Sequence, residues 1–389
     1  MKALHAIATR FSKVVFIPLA ITVLTGFNKI NPEEMLGTKR STKDQSIQLA
    51  LLLDTSNSMD GLIDQAKSQL WKIVNELATA KCDDGSRPNI KIALYEYGND
   101  NLPSSEGYIR QVCGLTSDLD LISEKLFALR TNGGSEFCGY VIRTSLNQLA
   151  WSPSKADLKM IFIAGNEPFT QGPVSFREAC AAAKEKGVVV NTIFWGPFNE
   201  GLSTSWKEGA DCGDGTYMSI EQDRRTVYIS TPYDPQIDAC NKRLNKTYIY
   251  YGSSGESKKA AQETQDSNAA SYGEANKAER AISKSSHAYK NSSWDLVDAA
   301  KEDESVIAGT KAEELPSEMR GMSAEQRRAY VKQKAEERKK IQNEIQELSK
   351  KRQEYISSHT TQEQKDSSLD AAMIKAIKEK AKSKDLSWK

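Results

Sequence analysis

Ile47-Gln48-Leu49-Ala50-Leu51-Leu52-Leu53-Asp54-Thr55-Ser56-Asn57-Ser58-Met59-Asp60-Gly61 is the stretch that decides the fold. A nearly unbroken apolar run from Ile47 to Leu53 suits a strand buried on both faces of a parallel sheet, because a half-exposed strand would alternate polar and apolar residues. The run stops at one carboxylate and two hydroxyls spaced two residues apart. Beyond them Leu62, Ile63, Ala66, Leu70, Ile73, Val74 and Leu77 recur at helical spacing. Strand, polar turn and helix in this order open an α/β unit, whose ligands bind at the carboxyl ends of the strands.

Working outward, the same alternation continues. Strands are expected at Ile90 to Tyr97, Tyr108 to Cys113, Lys159 to Ala164 and Val188 to Phe194. The second of these follows a Pro/Ser/Gly turn short enough for antiparallel pairing. Helices are expected at Asp118 to Leu129, Phe137 to Ala150 and Ser175 to Lys186, with a Gly-rich loop from Asn132 to Ser135. Leu202 to Asp211 and Gly215 to Met218 read as a last helix and edge strand. The fold class is therefore α/β, a doubly wound and mostly parallel six-stranded sheet with one antiparallel edge strand and helices on both faces. Thr231 to Tyr251 reads as a turn, a short helix and an aromatic tail packed on the domain as an extension.

Charge and histidine content narrow the function. The 53 Lys and Arg against 52 Asp and Glu leave a net charge of +1, which removes the electrostatic case for a nucleic-acid binder. The histidines are His5, His287 and His359, so residues 6 to 286 have no imidazole base. No G-x-S-x-G, P-loop, H-E-x-x-H or G-x-G-x-x-G occurs either, and an enzyme is not expected.

At the N-terminus, Lys2, Arg10 and Lys13 without an acidic partner precede an apolar run from Val14 to Phe27 that is short for a membrane span. This is the pattern of a secretory signal over residues 1–26, with export to a periplasm, a cell surface or the medium. An uncleaved signal anchor holding the chain near a membrane is the other reading. Export makes disulfides permissible among Cys82, Cys113, Cys138, Cys180, Cys212 and Cys240, with Cys82 to Cys113 the first expected pair. For Cys138 and Cys180, each inside an expected helix, a small buried thiol is an equal reading.

The expected organisation is a linker over 27–46, an α/β domain with its extension over 47–250, a polar helical arm over 251–310 and a charged helical region over 311–389. Only 39% of residues are hydrophobic, and the shortfall belongs to the C-terminal parts, since the strands are strongly apolar. Residues 256 to 290 suit a loosely amphipathic helix or a partly disordered arm, anchored by Trp294 to Val297. Ile341, Ile345, Leu348 and Tyr355 fall at heptad spacing with Arg352 in the seam, which fits either a coiled coil used for self-association or a solvated single helix.

Asp54-x-Ser56-x-Ser58 offers hard oxygen ligands of the kind Mg²⁺ accepts. Together with Gly133-Gly134-Ser135-Glu136 ahead of a helix and Ile161 to Pro168 at a later strand end, it resembles the von Willebrand factor A domain with its metal-ion-dependent adhesion site, over roughly residues 46 to 230. The resemblance implies Ser56 and Ser58 as direct ligands, Asp54 acting through water, and Ser135 where the family has threonine. It also exposes a departure: Gly165 stands where a second carboxylate belongs. Glu136 or Glu167 could supply the missing charge and Asn166 a neutral oxygen. Without metal, Asp54 and the serines would cap the following helix instead.

The resemblance thus implies an exported interaction or adhesion module that binds a protein or surface polymer offering an acidic group, through Mg²⁺ or else Mn²⁺ or Ca²⁺. The alternative is a metal-free scaffold of the cell envelope whose helical C-terminal region is the working part.

Overall fold

The computed structural model describes residues 45–222, 228–359 and 368–388. All of them belong to one of the two compact units of the chain, Thr42–Lys389. The expected signal segment over 1–26 lies outside the described residues. Among those described, no helix is long and apolar enough to cross a membrane.

Six strands form the central sheet: β1 (Ser46–Asp54), β2 (Asn89–Tyr97), β3 (Ile109–Thr116), β4 (Leu158–Gly165), β5 (Val189–Trp195) and β6 (Asp214–Ile220). Their order is β3-β2-β1-β4-β5-β6, with β3 antiparallel to β2 and every other pair parallel. Every residue of β1 is buried, as its unbroken apolar run requires of a central strand covered on both sides. Chain order reverses direction at β1 and β4, so a crevice opens at their carboxyl ends, where Asp54 and Gly165 stand.

Helices cover both faces. On one, Ala50, Leu52, Tyr95, Tyr97, Ile161 and Ile163 pack against α3 (Cys138–Gln148) and α4 (Phe176–Glu185). On the other, Ile47, Leu49, Leu51 and Leu53 pack against α1 (Asp60–Leu77) and α2 (Leu119–Ala128). The single helix expected over Leu202 to Asp211 is two, α5 (Phe198–Ser203) and α6 (Trp206–Cys212). They are separated at Ser205, whose φ of 69° is incompatible with a continuing right-handed helix.

The C-terminal region builds a further layer on the α1/α2 face. It comprises α7 (Asp234–Asn245), α8 (Gly255–Ala270), α9 (Glu274–Lys284), α10 (Leu296–Glu302), α11 (Ser305–Gly309), α12 (Ala324–His359) and α13 (Leu369–Ala381). α13 lies beside α1 and touches β4 and β6, with Leu369, Met373, Ala376 and Ile377 in the same core as β1. After it, Leu386–Ser387 pairs antiparallel with Lys81–Cys82, the residues that follow α1.

Two expectations need correction. The heptad stripe of α12 does not form a coiled-coil seam: Ile341, Ile345 and Leu348 pack into the chain's own main core, where α12 crosses α7 and α9, and Tyr355 stacks on His359. Arg352, out of place in a coiled-coil seam, is buried here because Asp234 accepts from it at 2.7 Å and Glu279 at 2.6 Å. The Cys82–Cys113 disulfide is also absent, all six cysteines being thiols.

Buried ion pairs stand among the apolar contacts of this layer. Arg280 on α9 is fully buried over the Trp71 ring and pairs with Asp120 on α2 and Asp266 on α8. Arg338 on α12 meets Asp295 with a two-pronged contact at 2.6 and 3.1 Å and also donates to the Thr247 carbonyl at 2.7 Å.

Candidate functional site

Three loops meet at the carboxyl ends of β1, β2 and β4. The first follows β1. Asp54 is fully buried, and its Oδ1 accepts from the Ser56 backbone amide at 2.8 Å, which turns the chain so that Ser56 and Ser58 lie side by side with hydroxyl oxygens 3.3 Å apart. The other carboxylate oxygen, Oδ2, is buried without any hydrogen-bond partner. No side-chain oxygen caps the short helix Asn57–Met59 or α1, so helix capping does not account for these residues.

The second loop joins α2 to α3. Asn132 donates to the Thr55 carbonyl at 2.9 Å, and Asn99, after β2, donates to the carbonyls of Arg130 and Thr55, so this loop is tied to the first. Glu136 is buried, and its Cγ lies close to the Asp54 carboxylate on either side of Gly98: a Cβ there would stand 2.7 Å from Asp54 Oδ1 and 2.8 Å from Glu136 Cγ. With its φ of +75° as well, position 98 admits only glycine without strain. Ser135, half-buried, precedes Glu136 on this loop; no hydrogen bond joins its hydroxyl to the other site oxygens among the described residues.

The third loop follows β4. Asn166 exchanges hydrogen bonds with Ser58, its carboxamide nitrogen donating at 3.0 Å. Glu167 is held by its backbone, whose carbonyl accepts from the Trp206 indole at 2.8 Å.

Electrostatics follow from this crowding. Burial pushes the Asp54 carboxyl well above its ordinary range, the Ser56 amide opposes the shift, and the negative charges of Glu136 and Glu167 add to it. Glu136 is pushed up to about 7, first by burial and then by Glu167. Carboxylates drawn toward one another in this way favour protonation or a bound cation. Among the described residues no three His, Cys, Asp or Glu side chains form a metal cage. A cation here would therefore depend on hydroxyl oxygens, which suits a hard ion such as Mg²⁺ that keeps part of its water.

Gly98, Asn99 and Tyr97, whose hydroxyl donates to the Ala164 carbonyl at 3.0 Å beside Gly165, were not anticipated from sequence as site residues. A tyrosine ending a strand reads as core, and the only available signal was the Gly98-Asn99 pair directly after the strand.

Residues 48–202 match the sequence profile of the von Willebrand factor type A domain. The chain carries a von Willebrand factor type A domain. Such domains commonly mediate protein–protein interaction. Among solved structures similar to this chain, the conserved hypothetical protein BatB from Bacteroides thetaiotaomicron is 17% identical, aligned over 45% of this chain and 91% of that one with a TM-score of 0.35. The SpRpn10 VWA domain is 16% identical over 46% and 90%, also at 0.35. Proximal thread matrix protein 1 from the mussel byssus, with a zinc-occupied MIDAS motif, is 14% identical over 46% and 43% with a TM-score of 0.34. No curated protein matches the chain in sequence.

Proposed function

We propose that the protein is an exported A-domain module that binds a protein or surface polymer through a divalent cation held at the carboxyl end of its sheet. The observation that carries this reading is the buried, partnerless Asp54 Oδ2 beside the Ser56 and Ser58 hydroxyls. A buried carboxylate oxygen without a donor is costly, and a cation relieves that cost. Ser56, Ser58 and Asp54 would hold the ion, with Glu136 supplying the charge that Gly165 cannot. Glu167, Asn166 and Ser135 stand ready on the flanking loops. Mg²⁺ suits the oxygen set, with Mn²⁺ and Ca²⁺ as alternatives. The bound ion supplies an open position for an acidic group of the partner. Export rests on the charged and then apolar pattern of the first 26 residues.

Thermal melting with millimolar Mg²⁺ or Mn²⁺ against chelator tests the ion. A ligand that binds only the folded state stabilises by about 2.7 kcal/mol at a concentration a hundredfold above its dissociation constant. No shift with either ion removes the cation from the reading. A pull-down from a surface extract with wild type and Ser56→Ala/Ser58→Ala in parallel tests the partner. Equal recovery of the same protein by both would place binding elsewhere.

A further inference from the structure

Two thiols outside this site face each other. Cys180 lies in the middle of α4, and its Sγ donates to the Gly209 carbonyl on α6 at 3.5 Å. Cys212 ends α6, and its Sγ reaches back to the Arg177 carbonyl on α4 at 3.9 Å. Gly209 is three residues before Cys212, and Arg177 is three residues before Cys180. A helical side chain leans back over the carbonyl three or four residues before it. Each thiol therefore rests on the backbone spot that the other cysteine's own side chain covers, which brings the two sulfurs together. The neighbours of other cysteines are oxygen groups: the Tyr97 hydroxyl at Cys138 and the Gly114 carbonyl at Cys113.

We propose that Cys180 and Cys212 form an oxidisable pair that closes into a disulfide stapling α4 to α6. The two differ in access: Cys180 is fully buried, whereas Cys212 is half-exposed. Burial and the neighbouring sulfur hold the Cys180 thiol up, so Cys212 is the attacking group. Its thiolate attacks a disulfide oxidant, either oxidised glutathione or a carrier protein's disulfide, forming a mixed disulfide and expelling one thiolate. Cys180 then gives up its proton and attacks the Cys212 sulfur, expelling the second thiolate. Two thiols become one disulfide, and the oxidant takes up both electrons and both protons as two thiols.

The staple would stiffen the wall behind the third site loop. Phe169 on that loop packs edge-to-face between Phe176 of α4 at 5.2 Å and Trp206 of α6 at 4.9 Å, and Trp206 also holds the Glu167 carbonyl. Joining α4 to α6 fixes both aromatic walls relative to each other.

The test treats the folded full chain with oxidised glutathione or with dithiothreitol, alkylates under denaturing conditions and maps the peptides without reduction. The expected result is one linked peptide pair containing Cys180 and Cys212, lighter by two hydrogens, with the other four cysteines alkylated. Cys113→Ser should leave that link unchanged, and Cys212→Ser should abolish it. A higher melting temperature on oxidation should appear in wild type and vanish in Cys212→Ser. The proposal is overturned if Cys180 and Cys212 are both alkylated after oxidation, if Cys212 stops at the mixed disulfide, or if either bonds a different cysteine.

Discussion

The Tyr97 hydroxyl fills the place where a side chain on Gly165 would stand. A Cβ at Gly165 would lie 2.6 Å from that hydroxyl and 3.1 Å from Asp54 Oδ2, and the hydroxyl itself donates to the Ala164 carbonyl at 3.0 Å. A carboxylate at position 165, which the family resemblance would place there, would therefore have to displace the hydroxyl of this β2 tyrosine. Gly165→Asp alone should destabilise the protein by roughly 1–3 kcal/mol through overpacking, with no gain in Mg²⁺ affinity. Combined with Tyr97→Phe, the same change should recover part of that loss and tighten Mg²⁺ binding. Melting curves and a Mg²⁺ titration of the single and double variants measure both effects; tighter binding by the single variant would contradict the steric account.

Asp54 itself should show opposite effects with and without ion. Burial disfavours its charged form, and one oxygen has no donor. In chelator, Asp54→Asn should therefore be at least as stable as wild type, because a neutral amide removes an uncompensated buried charge. In saturating Mg²⁺ the order should reverse, since the variant loses the linkage stabilisation that wild type gains. Equal melting temperatures of the two proteins under both conditions would show that Asp54 serves no cation.

Much of the sheet and its flanking helices, from Ser46 to Ile220, was legible in the sequence, for a physical reason. Strands buried on both faces are largely apolar, so Ile47 to Leu53 and Lys159 to Ala164 declare themselves despite Gln48 and Lys159, and the site loops follow at their carboxyl ends. The C-terminal layer was harder to read because its interior is partly ionic. Arg280, Lys284, Arg338 and Arg352 are all buried, yet by composition they read as a solvated face. Hydrophobic pattern cannot report a charge neutralised by a partner distant in sequence, as Asp234 is from Arg352 or Asp295 from Arg338. The placement of α13 beside α1 was equally invisible, since nothing in residues 369–381 names the helix it will lie against.

Arg338 shows what that ionic interior costs when broken. Asp295 is fully buried, caps α10 by accepting from the Asp298 amide, and accepts from the Ile249 amide and from Arg338. Arg338→Ala should cost about 3–5 kcal/mol, because the Asp295 charge would remain buried without its counterion. Arg338→Lys should recover only part, since an ammonium cannot reproduce the planar two-pronged contact. Denaturant unfolding of the three proteins decides it, and a loss under 1 kcal/mol for Arg338→Ala would mean that water already reaches Asp295.

The α12 stripe yields a separate test of how this helix is used. Ile345 is fully buried in the chain's own core. Ile345→Ala should cost about 2–4 kcal/mol from lost transfer energy and the cavity left behind. Sedimentation should give the same molar mass for variant and wild type. If the stripe instead served self-association, the variant would change mass while its unfolding at low concentration stayed the same.

His287 sets part of the acid sensitivity. Its pKa is pushed down from 6.5 to about 4, first by burial and then by the positive charge of Arg87, with Lys290 contributing, and its Nε2 is buried without a partner. A base whose folded pKa is depressed takes up its proton in the unfolded chain first. As pH falls from 6.5 toward 4, the unfolded state thus binds more protons than the folded state, and stability drops, levelling off below that window. The ring is only half-buried, so the contribution should be roughly 1–2 kcal/mol rather than the full value of the shift. Acidic groups such as Asp266, held low by Lys284 and Arg280, lose their stabilisation at still lower pH and act in wild type and variant alike. The difference between wild type and His287→Gln therefore isolates the imidazole. That difference should be flat above about pH 7, grow in favour of the variant down to about pH 4 and then remain constant. A difference that does not change with pH would mean that His287 titrates as freely in the folded protein as in the unfolded chain.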